Sequence, residues 1–183
     1  MKKTIIYAFL IFYHVISLAS EELSVWNLFK AIEQSNVHTV KELFNSGIDY
    51  SAKIKNSALC HAIKKIEIRS IDKYNFPEDK SIVACYDNAF SVVELLLYKN
   101  ADPNYRHENS SYNIFKAIDC YNSSLLALLL TQRANVYIQH HSSNKLPIQY
   151  AEEKCCPSSY KEEEMETIIH LLKAHMKAAQ DTY

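Results

Sequence analysis

The sequence predicts an all-α protein, a solenoid of stacked helix-turn-helix units with one elongated helical arm. Three observations carry that expectation. VVELLLYKNAD, ending at Asp102, and LLALLLTQRAN, ending at Asn135, speak one phrase twice, and 135 minus 102 is 33. A fixed period of this length marks repeat units that stack on their neighbours. Within each copy the apolar residues, Val92, Val93, Leu96 and Leu97, then Leu125, Leu126, Leu129 and Leu130, fall at i, i+1, i+4 and i+5, which lines one side of a helix. Finally, the 183 residues include a single glycine. Hairpin-rich folds need more, whereas helices joined by Asn, Asp and Ser turns do not.

Taken in order, residues 1–19 come before any fold. Lys2 and Lys3 give a basic start, Ile5 to Ile16 are apolar apart from His14, and Ser17, Leu18 and Ala19 make a small-x-small cleavage site. This pattern is that of a secretory signal peptide, and the apolar run falls short of the ~20 residues of a spanning helix. The mature chain is expected to begin near Ser20 or Glu21. Without Lys2 and Lys3, 18 basic residues face 21 acidic ones, a formal charge of −3. That balance favours neither nucleic acid nor an anionic membrane as partner.

The first unit, about 23–53, pairs a helix over 23–34 with one over 37–46. Trp26, Leu28, Phe29 and Ile32 are expected in its core, Asn36 as N-cap and Gly47 as the closing residue. The second unit, 54–105, carries an insertion over 64–88. Ala31 and Val40 are 9 residues apart, whereas Ala62 and Val93, in the same slots, are 31 apart, so 22 residues have been added. Their pattern continues the helices: Leu59, Ala62, Ile63 and Ile66 run forward, and Ile82, Val83, Tyr86, Ala89 and Phe90 run back. YNFPEDK, from Tyr74 to Lys80, has the Pro and acidic residues of a turn and helix start. Two lengthened helices should therefore project as an arm.

The third unit, 109–141, pairs a helix from Tyr112 to Cys120 with the LLALLL helix. Asn100 and Arg133 occupy the slot where a helix ends with positive φ, which Asn tolerates better than Arg. The fourth, 144–179, carries an insertion over 155–163. There Pro157 ends one helix, Ser158 or Ser159 caps the next, and Met165, Ile168, Ile169, Leu171, Leu172 and Met176 line its inner face. Lys173, Lys177, Gln180 and Asp181 supply the wet outer face that a terminal unit needs.

ALCHA (58–62) and LPIQYA (146–151) resemble the TPLHxA opening of ankyrin repeats; VVELLL and LLALLL resemble their VxxLL second helix, and NADPN (100–104) their finger. The chain is similar to an ankyrin-repeat protein over nearly all its mature length. The resemblance implies a concave face, made by hairpin fingers and the exposed side of the first helices, that binds other proteins. Mapped onto this sequence, it is Tyr50 and Lys53; Asn104, Tyr105, Arg106 and His107; Tyr137, Gln139 and His140; and Lys116 and Asp119 on the helices. The arm tip, with Tyr74 and Phe76, is a second candidate surface.

Cys60 and Cys85 could tie the arm, and Cys120 and Cys155 lie near equivalent alanines of stacked units; the competing expectation is that they are buried thiols. No adjacent pair among Cys60-His61, His140-His141 and Cys155-Cys156 has the spacing of a tetrahedral metal site. Nothing orients a base, an oxyanion hole or a phosphate loop, so neither catalysis nor a cofactor is expected. The expected function is that of an exported monomeric binding module, periplasmic or secreted, that holds an exported protein or toxin, with its neutralisation or regulation as the specific role. Two alternatives stand beside it: a secreted effector that binds a host protein, and a cysteine-based redox or stress-protection protein.

Overall fold

The computed structural model describes residues 22–75, 78–108, 110–155 and 161–181. The chain is all-α, with no strand among the described residues. Its helices are α1 over 22–33, α2 Val37–Asn45, α3 Ala52–Asn75, α4 Lys80–Tyr98, α5 Asn113–Asp119, α6 Ser123–Thr131, α7 Pro147–Lys154 and α8 Lys161–Gln180. The expected signal segment, residues 1–19, lies outside the described residues, as do Pro157, Ser158 and Ser159.

Helices pair as hairpins, α3 with α4, α5 with α6 and α7 with α8. The hairpins then pack in succession: α3 on α5 and α5 on α7 along one side, α2 on α4 and α6 on α8 along the other. The sequence produces this through side chains of two sizes. Ala31, Ala62, Ala117 and Ala151 are all buried, so the first helix of each pair presents a methyl where the next approaches. Leu96, Leu125, Leu126, Leu129, Ile168 and Leu172 are buried on the second helices. Each such burial contributes about 1.5–3 kcal/mol relative to exposure.

The backbone repeats at the turns as well. α1 and α5 end the same way, with Ser35 at φ 51° and Tyr121 at φ 51°, each followed by an Asn that caps the next helix. The Asn36 side chain accepts from the Thr39 N–H at 3.0 Å, and Asn122 accepts from Leu125 at 2.8 Å. α4 and α6 close with Asn100 at φ 63° and Arg133 at φ 66°. In both, the residue at positive φ and the one after it donate back into the last turn: Asn100 to Leu97 and Ala101 to Leu96, Arg133 to Leu130 and Ala134 to Leu129. Gly47, φ 83°, holds the corresponding place after α2.

The inserted residues lengthen both helices of the second pair, giving 24 residues in α3 and 19 in α4. The inward stripe runs as far as Ile66 and resumes at Ala89; between them Ile68, Lys80, Ser81, Cys85, Asp87 and Asn88 are exposed, so this end of the hairpin stands clear of the core. Asp79 starts α4, its carboxylate accepting from the Ser81 and Ile82 N–H groups at 2.9 and 3.4 Å. The Ser81 hydroxyl and these amides hold the Asp79 carboxyl below the usual range.

Three sequence expectations are corrected here. No finger separates the first two units, because α3 starts at Ala52, directly after Tyr50 and Ser51. Trp26 is 56 % exposed rather than in the core, with the Lys30 ammonium 4.6 Å from its ring centre. On α8 only Met165, Ile168 and Leu172 are buried, while Ile169, Leu171 and Met176 are half-buried, as suits a terminal helix with a neighbour on one side.

Arg133 pays the steric cost of a left-handed residue without glycine's freedom. Arg133→Gly should raise unfolding stability by about 0.5–1 kcal/mol, the relief of strain being partly offset by greater unfolded-chain entropy; urea denaturation with an unchanged m-value checks this.

Candidate partner-binding surface

The surface is built from the alanine row outward. The residue before each alanine packs on the residue two before the alanine of the preceding layer. His61 meets Phe29 edge-on with centroids 5.8 Å apart, and Tyr150 meets Phe115 at 5.3 Å. Beside these contacts, the residue two after the alanine reaches forward to the next layer. Glu33 of α1 bonds His61 at 2.7 Å and ion-pairs with Lys65, both on α3. Asp119 of α5 accepts from the Tyr150 hydroxyl at 2.9 Å and ion-pairs with Lys154 at 2.7 Å, both on α7. Counted from Ala31 and Ala62, then from Ala117 and Ala151, the offsets are the same. Two layers therefore carry identical acid-to-cation rungs.

The local electrostatics follow. Bonds from Lys65 and then His61 hold the Glu33 carboxyl below the ordinary range. Burial works against the Lys154 charge, but the Asp119 carboxylate outweighs it and raises the Lys154 pKa. Burial, followed by the bond to Asp119, pushes the Tyr150 hydroxyl up.

A second ladder joins the loops. The Asn56 side chain accepts from the Asp102 N–H at 2.7 Å. One layer on, the Asn104 side chain accepts from the Asn135 N–H at 2.7 Å and donates to the Arg133 carbonyl at 3.2 Å. Inside their own loops, Asp102 accepts from the Asn104 N–H and Asn135 from the Tyr137 N–H, both at 2.8 Å.

The candidate surface residues divide accordingly. Arg106, His107, Gln139 and Lys53 are exposed, Lys53 in the first turn of α3 rather than on a finger. Tyr137 is 45 % exposed, its hydroxyl 3.3 Å from the Met176 carbonyl. Tyr105 is half-buried, its carbonyl facing the Cys60 sulfur, and Arg106 lies 5.3 Å from the Tyr112 ring. Asn104 and Asp119 are half-buried and engaged in the ladders.

Three of the expected surface residues, Tyr50, His140 and Lys116, are buried. Tyr50 is 3 % exposed, packed edge-on against Phe44 with its hydroxyl toward the Ser24 carbonyl, because the absent finger leaves it in the core. His140 is 7 % exposed, stacked on Tyr150 and edge-on to Phe115, with the Ser111, Ser142 and Ser143 hydroxyls around its nitrogens. Lys116 is 8 % exposed. The side chain of Tyr74 and all of Phe76 lie outside the described residues.

Cys60, Cys85, Cys120 and Cys155 are thiols, so neither Cys60–Cys85 nor Cys120–Cys155 is bridged in this structure. The Cys60 sulfur points across the layer to the Asn113 side chain, 3.5 Å away, whereas Cys85 faces outward on α4. Burial raises the Cys60 pKa, which disfavours the thiolate. Among the described residues no group of three His, Cys, Asp or Glu could hold a metal ion. α4 is long and apolar enough to cross a membrane by composition, but its Val92, Val93, Leu96 and Leu97 are packed into the core.

No protein-family model, curated protein or solved structure matches the chain.

The rungs have a sequence signal that the helical periodicity does not show: at two of the three steps an acid two after one alanine matches a lysine three after the next. At pH 7, Asp119→Asn should lower stability by about 1 kcal/mol, the pair being roughly one-third exposed and partly screened. Thermal or urea unfolding checks this.

Burial and then the neighbouring His141 push the His140 pKa below the ordinary imidazole value. The unfolded chain thus takes up this proton more readily. The His140 contribution is complete above the unfolded pKa and lost as pH falls through it toward the folded pKa. An NMR titration should find the His140 ring protonating at lower pH than free imidazole, and His140→Asn should reduce the decline in stability between about pH 7 and 5.

Proposed function

We propose that this chain is an ankyrin-type binding module, exported by its N-terminal segment, that holds another protein against its fingers and first-helix face. Carrying this is the recurrence of one hydrogen-bonded unit: the same left-handed closures, the same Asn caps and the same acid-to-cation rungs, at equal offsets from a buried alanine. A stack of such units gives a rigid row of loop tips whose backbone is already satisfied, so the exposed Arg106, His107, Tyr137 and Gln139 side chains are free to make contacts. Tyr and Arg are the residue types that most often dominate interface energies. The basic, apolar and small-residue order of residues 1–19 supports export, to the periplasm or outside the cell.

Restraint or regulation of an exported enzyme or toxin is the specific role that the resemblance to ankyrin-repeat proteins suggests, with the module a monomer that needs no cofactor and has no catalytic step of its own. Against the redox alternative stands the buried, pKa-raised thiol of Cys60. Fractionation separates the periplasmic module from an effector delivered to a host.

The test is capture and quantitation of the partner from the periplasmic or culture fraction, followed by affinity measurement with surface variants. Arg106→Ala and Tyr137→Ala should each weaken the complex by at least about tenfold while leaving Tm within a few degrees, the behaviour of hot-spot residues. Affinity unchanged in both variants would move the contact off the fingers.

A further inference from the structure

The rung pattern breaks in the middle of the stack. At the α3-to-α5 step, the residue two after Ala62 is Lys64, the residue before Ala117 is Lys116, and the residue three after Ala117 is Cys120. Lys116 keeps the register of its counterparts: it is the charged neighbour of the Cys60 thiol, as His61 is the neighbour of Phe29 and Tyr150 of Phe115. Where the flanking steps set a carboxylate beside a donor, the same offsets at this step fall on two lysines. Neither the Lys64 nor the Lys116 side chain makes a hydrogen bond or ion pair among the described residues. Lys116 is more than nine-tenths buried, yet no fully enclosed polar atom among the described residues lacks a partner, so its ammonium keeps some contact with solvent. A buried cation left without an anion is costly. The exposed Arg106 and His107 add basic groups on the loop whose Tyr105 carbonyl lies 3.9 Å from the Cys60 sulfur of this same layer.

We infer that the Lys64–Lys116 step is a carboxylate site, where an acidic side chain of a protein partner supplies the anion that Glu33 and Asp119 supply internally in the flanking layers. This deepens the binding-module proposal and rests on its stacked register. Charge accounts for the choice of occupant: two lysines on the first-helix face, flanked by rungs already neutralised, favour a carboxylate.

Fluorescence anisotropy of the purified protein with a labelled hexaglutamate peptide, combined with thermal unfolding, tests this. Wild type should bind the peptide in a salt-sensitive manner. Lys64→Gln and Lys116→Gln should each weaken binding on the order of tenfold, and Lys177→Gln, on the outer face of α8, should leave it within about twofold. Lys64→Glu is the decisive variant: it should abolish peptide binding and raise Tm by about 1–3 °C, by forming across this layer the bridge found in the other two. A raised Tm with peptide binding intact would retain the stacked register and overturn the carboxylate site. Loss of binding without a rise in Tm would overturn the rung geometry, and the inference with it. Binding that survives both Lys64 variants, or is displaced equally by millimolar inorganic phosphate, would overturn it as well.

Discussion

A methyl group at the crossing point of every layer is the constraint on which the structure depends. Ala31, Ala62, Ala117 and Ala151 are buried to nearly the same degree although the chain between the second and third is the longest of the intervals. Packed helices stand 8–10 Å apart according to the side chains at their contact, and a larger residue at any of these four places would force one layer away from the next. The polar rungs could not then form, because Glu33 reaches His61 at 2.7 Å and Asp119 reaches Tyr150 at 2.9 Å only when the helices are this close. Close apolar packing sets the spacing, and the hydrogen bonds use it.

The turns make that spacing repeatable. The first three layers end their second helices with a residue in the left-handed region, and Gly47, Asn100 and Arg133 accept the same geometry. At Asn100 and Arg133, backbone donation into the preceding turn holds the closure with either side chain. Specificity between layers comes instead from Asn56 and Asn104, whose amides tie one loop to the next. The loops thus belong to a frame whose own polar groups are already engaged, and Arg106, His107 and Gln139 are left exposed on them.

Much of this was legible in the sequence, for physical reasons that also explain the remainder. The 33-residue echo, the Asn36 cap, the positive φ of Asn100 and Arg133, and the two lengthened helices around the insertion all follow from local chemistry, in which side-chain size, capping and periodicity act over a few residues. Tyr50 and His140 were misplaced because their fates are set at long range. Tyr50 is buried since α3 begins too early for a finger to form. His140 is buried because Phe115 and Tyr150 of other helices close over it. Trp26 reads as core by its apolar bulk, but it takes no place in the buried cluster and is left 56 % exposed. The like-charged step at Lys64 and Lys116 is invisible until the layers are aligned in space, since its members are 52 positions apart in a chain with a long insertion between them.

The account stands on successive hairpins stacking in one direction at equal intervals, and distances between equivalent points measure that most directly. Lys41, Ala127 and His170 occupy matching places on α2, α6 and α8. Spin labels at 41 and 127 should be separated by two helix spacings, roughly 20 Å, and those at 41 and 170 by three, roughly 30 Å, in double electron–electron resonance. A 41–170 distance equal to or shorter than the 41–127 distance would mean that the hairpins fold back into a bundle, and would contradict the stack.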